Sequence, residues 1–175
     1  MAVLETSRLI LRPFRENDVD PLSVLMANKD FMRFSLGPYT REQTLGFLEK
    51  ILGWQNAGKP SLFAMILKDD GTFFGYCGFY HQHIDDVDEI EIGYRMHPDY
   101  WNRGLTTEAA RAVRDHAFRD LKLPRVISLI SLENAPSRRV AEKIGMTLEK
   151  QTIYRGSLTN VFSLSRERWE KENAA

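Results

Sequence analysis

The stretch Tyr100-Trp101-Asn102-Arg103-Gly104-Leu105-Thr106-Thr107-Glu108-Ala109-Ala110 stands between a strand pattern and a helix pattern. Before it, Glu89-Ile90-Glu91-Ile92-Gly93-Tyr94-Arg95-Met96 alternates with period two and stops at Pro98. After it, Ala110, Val113, Ala117, Phe118 and Leu121 recur at helical spacing, which predicts a helix from about Leu105 to Leu121. A helix start leaves four N–H groups unpaired and carries about half a positive charge. Gly104 lets an anion approach that backbone closely, and Arg103 adds a full charge and a planar donor fork. The loop lacks Gly-Lys-Ser/Thr and has one glycine, so it is neither a Walker A motif nor a dinucleotide fingerprint. Taken alone it reads equally as a plain strand-to-helix turn.

Around this loop the pattern predicts a strand at Ser7–Phe14 and a helix capped by Asn17 or Asp18 and reaching about Ala27. A loop over 28–39 and a helix opened by the capping box Thr40-Arg41-Glu42-Gln43 follow. Strands at about 62–68 and 72–80 are joined by Asp69-Asp70-Gly71, a hairpin signal, and an acidic loop leads to the strand at 89–96. Beyond the long helix come a strand at 125–131, a helix over 135–144 closed by Gly145, strands at about 147–155 and 159–165, and a short terminal helix over 166–173. The order β-α-α-β-β-β-α-β-α-β-β predicts an α+β fold: a mixed, mostly antiparallel sheet of about seven strands flanked by about four helices. The strand–helix–strand unit at 89–131 is expected to be parallel and right-handed.

At 175 residues with 43% apolar residues, 10 Phe, 6 Tyr and 3 Trp, the chain can build one real core, so a single domain over 1–175 is expected and disorder is excluded. The 24 Lys+Arg balance 24 Asp+Glu, which argues against a nucleic-acid-coating protein. No apolar run spans a membrane and no signal peptide is visible, so the expected location is the cytoplasm. One cysteine, Cys77, rules out an internal disulfide and a cysteine zinc cage, and it reads as a packed thiol. His81 and His83 share a strand face without further ligands, so no metal is expected. The charge is uneven: residues 1–94 carry 9 basic and 14 acidic groups, net −5, whereas 95–143 carry 10 and 6, net +4. That asymmetry reads either as scatter or as one surface for an anion and one for a cation. The cluster Asp85, Asp86, Asp88, Glu89 reads as a solvated loop or, if functional, as a lure for a cationic acceptor.

The loop resembles the pyrophosphate-binding motif of the GNAT N-acetyltransferases, Arg/Gln-x-x-Gly-x-Gly/Ala, with Trp101 at the first position, Gly104 kept and Thr106 at the last. Three more segments resemble the ribosomal-protein-alanine branch of that family, in the family's order: Thr6-Ser7-Arg8-Leu9-Ile10-Leu11-Arg12-Pro13, Glu91-Ile92-Gly93-Tyr94, and Asn134 to Met146. The resemblance covers essentially the whole chain. It implies an enzyme that moves acetyl from acetyl-CoA to a primary amine by direct attack in a ternary complex. The acceptor would be a peptide or protein N-terminus, an amino acid, a polyamine or an aminoglycoside, with no metal, and the protein a monomer or homodimer.

By the resemblance, the backbone at Asn102, Arg103, Gly104, Leu105, Thr106 and Thr107 would cradle the pyrophosphate. Met96 and His97 would pair with the pantetheine amides as an added strand, and Asn134 would meet the pantetheine arm. The +4 segment would face this polyanion. Many relatives carry a tyrosine acid seven residues after that asparagine; here the position is Ala141. Ser137 stands where the branch uses a serine to stabilise the thiolate, although a residue in a first helical turn also bonds locally. An α-amine with a pKa of about 7.7–8.0 costs only ~1 kcal/mol to deprotonate at pH 7, against ~4.6 for a lysine at about 10.4. Glu91, flanked by Ile90 and Ile92, is the candidate base, with an outward-facing carboxylate as the alternative. Tyr154 either holds substrate or acts as an acid, or is a half-buried strand aromatic. The absence of the tyrosine at 141 leaves a rival reading, a non-catalytic acyl-CoA-binding module.

Overall fold

The computed structural model describes residues 3–174. The strands are β1 (Leu4–Glu5), β2 (Leu9–Pro13), β3 (Leu62–Leu67), β4 (Phe73–Ile84), β5 (Val87–Met96), β6 (Arg125–Ser131), β7 (Thr147–Tyr154) and β8 (Ser157–Ser165). The helices are α1 (Val19–Met26), α2 (Arg41–Asn56), α3 (Leu105–Arg119), α4 (Ala135–Lys143) and α5 (Arg166–Asn173). One sheet runs β1-β2-β3-β4-β5-β6-β8-β7, antiparallel throughout except where β5 meets β6. The architecture is the expected α+β one, with eight strands in place of about seven because the two-residue β1 pairs Leu4 with Leu11.

Local chemistry accounts for the helix ends. Thr40 accepts from Gln43 N and its own N–H donates to the Gln43 side chain at 2.8 Å, so the capping box forms as written. At α1 neither Asn17 nor Asp18 caps through its side chain. Asp18 instead takes both guanidinium nitrogens of Arg12, at 2.7 and 2.8 Å, and Arg15 N at 2.8 Å, and a 3-10 turn over Glu16–Asp18 precedes the helix.

The expected acidic loop before β5 is a correction. β4 and β5 pair continuously from Gly75↔Met96 to Ile84↔Val87, and the turn is Asp85-Asp86 alone, with φ of +48° and +61°. Two left-handed residues make the tight turn that suits strand twist. The acids at 85–89 hid this extension because they break the apolar alternation that marks a strand. The tip lies against β7: Asp85 meets Lys150 at 2.6 Å and Thr152 at 2.7 Å, and Ile84 packs with Ile127 and Val161.

Two cores separate the sheet's faces. Leu22, Met26, Leu48, Ile51, Leu62, Ala64 and Tyr76 pack one face against α1 and α2. Phe63, Phe74, Cys77, Phe79, Ile92, Ala109, Val113, Ala141 and Phe162 pack the other against α3 and α4. Glu91, Gly93 and Arg95 oppose Tyr80, Gly78 and Tyr76 in the β4–β5 register, so they stand in a row on the α1/α2 face. Among the described residues no helix is long and apolar enough to cross a membrane.

Candidate active site

Before α3 the chain turns twice through left-handed backbone, at Asn102 (φ +60°) and Gly104 (φ +73°). Such turns line up successive N–H groups into an anion-binding concavity. The first intrahelical bond of α3 runs from Glu108 N to Gly104 O, which leaves the N–H groups of Leu105, Thr106 and Thr107 without helical partners. A Cβ at Gly104 would meet only the Arg8 guanidinium, at 3.7 Å, so the space over the loop is open. The side chains divide: Leu105 is buried, Thr106 Oγ1 donates to Met96 Sδ at 3.1 Å, and Asn102 and Arg103 are exposed, with the Arg103 guanidinium over the Tyr100 ring.

The N-terminal segment holds this loop. Thr6 Oγ1, Ser7 Oγ and Arg8 N all donate to Glu108 Oε1, while Arg8 Nε donates to Glu108 Oε2 at 2.7 Å. Arg8 Nη1 reaches the Arg103 carbonyl at 2.9 Å. Burial raises the pKa of Glu108, but the bonds from Thr6, Arg8 and Ser7 outweigh it and hold the carboxyl below its usual range. The roles of Thr6–Arg8 and Glu108 escaped sequence reasoning because they join residues a hundred positions apart.

Beyond Glu91 the sheet opens. β5 and β6 share one bridge, Glu91↔Ile127, and Ser128 Oγ donates to Ile92 O at 2.7 Å. Further on, Tyr94 OH spans to α4 and donates to the Ser137 carbonyl at 2.8 Å. Asn134 Oδ1 accepts from Ser137 N at 3.2 Å and so caps α4. Ser137 Oγ engages no protein group among the described residues. Of Met96 and His97, expected as the pairing edge, His97 turns its main chain away from the gap. His97 N donates to Phe74 O at 2.8 Å, and Met96 O accepts the Trp101 indole at 3.0 Å. Because His97 faces β4, alternation turns the main chain of Tyr94 and the N–H of Met96 toward the gap.

Glu91 is buried, not outward-facing. Gln82 Nε2 donates to its Oε2 at 2.6 Å and Leu129 N to its Oε1 at 3.2 Å. Burial pushes its pKa up to about 7 against these two bonds and the charges of Arg155 and Arg95. Tyr154 OH donates to Gln82 Oε1 at 3.0 Å, so Gln82 ties the two candidates together. Gln82 was not foreseen: it lies between His81 and His83, past the strand expected over 72–80.

The remaining candidates are accounted for locally. Glu89 pairs with Arg125 at 3.2 Å, and Asp88 pairs with His83 and Asp85 with Lys150, so three of the four acids have partners. His81 Nε2 sits 2.8 Å from Pro60 O. Burial pushes the Cys77 thiol well up, which suits a packed thiol. Among the described residues no three His, Cys, Asp or Glu side chains converge as metal ligands.

The family described as "Acetyltransferase (GNAT) domain" matches residues 8–147, and the chain belongs to it. It is 33% identical over 158 residues to the uncharacterized N-acetyltransferase YnaD of Bacillus subtilis, covering 88% of this chain and 89% of that one. A GNAT-family acetyltransferase from Bacillus anthracis superposes with a TM-score of 0.80 at 28% identity, covering 95% and 99% of the two chains. RimL, described as a ribosomal L7/L12 alpha-N-protein acetyltransferase in complex with coenzyme A, shares the fold with a TM-score of 0.80 at 19% identity, covering 95% and 99%.

Proposed function

We propose that the protein transfers an acetyl group from acetyl-CoA to a primary amine. The observation that carries this reading is the opening between β5 and β6, set between the bare N–H groups at Leu105–Thr107 and the buried Glu91. The residues present fit the coenzyme: a left-handed glycine with open space above it, an unpaired helix start, and a strand edge with no partner beyond Ile92. The coenzyme, when bound, supplies an activated acetyl thioester.

The chain's own groups supply the rest. Asn102–Thr107 hold the pyrophosphate, and the main chain of Tyr94 and the N–H of Met96 orient the arm and present a donor to the thioester oxygen. Ser137 Oγ, without a partner among the described residues, donates toward the departing sulfur. Glu91 takes the proton of an ammonium acceptor, since its pKa of about 7 sits near that of an α-amine. Tyr154, reached through Gln82, flanks the acceptor.

Ala141 is fully buried and has no hydroxyl, which favours the rival reading of a coenzyme-binding module without chemistry. One experiment separates the two. Acetyl-CoA at about 100 times its Kd is expected to add roughly 2.7 kcal/mol and raise Tm by roughly 5–10 °C. Thiol release across a panel of amines then reports turnover. An unmoved Tm ends the donor assignment, and a raised Tm with no thiol release from any amine leaves the binding module.

Ser137→Ala is expected to lower kcat on the order of 10–1000-fold while donor Kd changes little, as for a donor acting mainly in the transition state. Calorimetric Kd beside steady-state kcat checks it. Equal loss in both would make Ser137 a coenzyme-binding residue only.

A further inference from the structure

Arg95 is the charged residue of the site's face that the reading above leaves without a task. Its side chain lies on the row Glu91–Gly93–Arg95, beneath the connection between α1 and α2. Nη1 donates to Phe31 O at 3.4 Å, a long bond, and to Met32 Sδ at 3.3 Å, and the Tyr76 phenol lies within hydrogen-bonding reach, all of them neutral partners. Tyr76, Tyr80 and Tyr39 surround it. Burial pushes the Tyr76 and Tyr80 phenols up, so they stay neutral and bring no compensating charge. Among the described residues no carboxylate lies within ion-pair distance of Arg95. The contrast within the molecule is direct: Arg12 and Arg114, also largely covered, pair with Asp18 and Asp115 at 2.7 Å each. A covered guanidinium without an anion is held at a cost.

The row it stands on leads back to the reaction. Gly93, between Glu91 and Arg95, has no side chain, and a Cβ there would strike the Tyr80 ring at 2.6 Å. The Tyr80 ring therefore lies directly on the backbone between base and guanidinium. Glu91 and Arg95 sit four residues apart on one strand, about 13 Å between their Cα atoms, and both side chains reach inward from that spacing. We infer that Arg95 receives a carboxylate of the acceptor, so that the substrate is an amine carrying an acidic group a few bonds from its reacting nitrogen.

This inference rests on the acetyl-transfer reading, and the two fail differently. Matched acceptors test it, with coenzyme A release as the readout. One pair is an α-amino acid and its amide; the other is the peptide Ser-Asp-Ala-amide and Ser-Asn-Ala-amide. These distinguish a free amino acid from an acidic peptide N-terminus as the source of the carboxylate. In at least one pair the carboxylate is expected to raise kcat/KM by at least about 10-fold, the scale of an unshielded charge contact. Arg95→Gln should erase that advantage, and Arg95→Lys should restore part of it. The wild-type comparison needs no variant to fold, and the acetyl-CoA melting shift verifies the fold of each variant. Acetylation without carboxylate preference in either pair overturns the inference, as does an equal loss on both members in Arg95→Gln. An absence of thiol release from every amine overturns the transfer reading, and this inference with it.

Discussion

Glu91→Gln is expected to lower kcat/KM for an α-amine acceptor by about 100-fold at pH 6.5 and by less than about tenfold at pH 9. Below the amine's pKa of about 7.7–8.0 the acceptor arrives protonated, and a base inside the site removes the proton. Above it the amine arrives ready, so the loss shrinks. The fall in wild-type rate below about 7 follows from the Glu91 pKa itself, and Gln82→Leu should move that limb upward by removing a donor to the charged form. Stability carries the opposite sign. A carboxyl raised from 4.5 to about 7 binds its proton more tightly folded than unfolded. Its penalty is therefore absent below pH 4.5, grows between 4.5 and 7, and is fully present above 7, at roughly 3 kcal/mol by the per-unit conversion. Glu91→Gln should accordingly melt higher than wild type at pH 8 and about level with it at pH 4.5. Equal activity of the two proteins across pH 6–9 would make Glu91 a structural residue.

Gly104→Val should weaken acetyl-CoA binding by at least about 100-fold while the free protein stays folded. Left-handed backbone costs a residue with a Cβ roughly 1–2 kcal/mol, and a β-branched one more. The free structure has room, because only the Arg8 guanidinium stands within 4 Å of a Cβ there. The added methyls would fill the space over the Leu105–Thr107 N–H groups, where a phosphate belongs. Titration calorimetry with circular dichroism decides: a folded Gly104→Val protein with intact affinity removes the loop from the coenzyme site.

How much was readable in advance depended on the range of the interaction. The capping box at Thr40, the hairpin at Asp69-Asp70-Gly71 and the Gly104 turn are settled within four residues, and their patterns sit in adjacent letters. The central strand was legible from alternation, and its isoleucine neighbours singled out Glu91, whose burial the structure shows. Gln82 and Arg95 gain meaning only through the β4–β5 register, which no local pattern records because the acids from Asp85 to Glu89 mask the strand ends. Of the edge expected at Met96 and His97, Met96 keeps its N–H on the gap while His97 turns to β4, since the side of a strand that faces a gap depends on which residues bond its neighbour. Ser137 was placed by its motif, but its unengaged hydroxyl became visible only once Asn134 and Tyr94 had claimed the backbone around it.

The clasp of Thr6, Ser7 and Arg8 on Glu108 ties the assembly of the coenzyme loop to the order in which the chain comes together. Closing a loop of about a hundred residues is an entropically slow event, and contacts of such separation form late. Until β2 has joined β3, nothing holds Thr6–Arg8 beside α3, and Glu108 and the Arg103 carbonyl lack their tether. Helix α3 can form from its own residues, yet the turn before it acquires its final shape only when the two halves of the sheet have met. Competence to bind an anion is thus a late property of this fold, and a chain whose β2 has not yet joined β3 would own the loop without the shape.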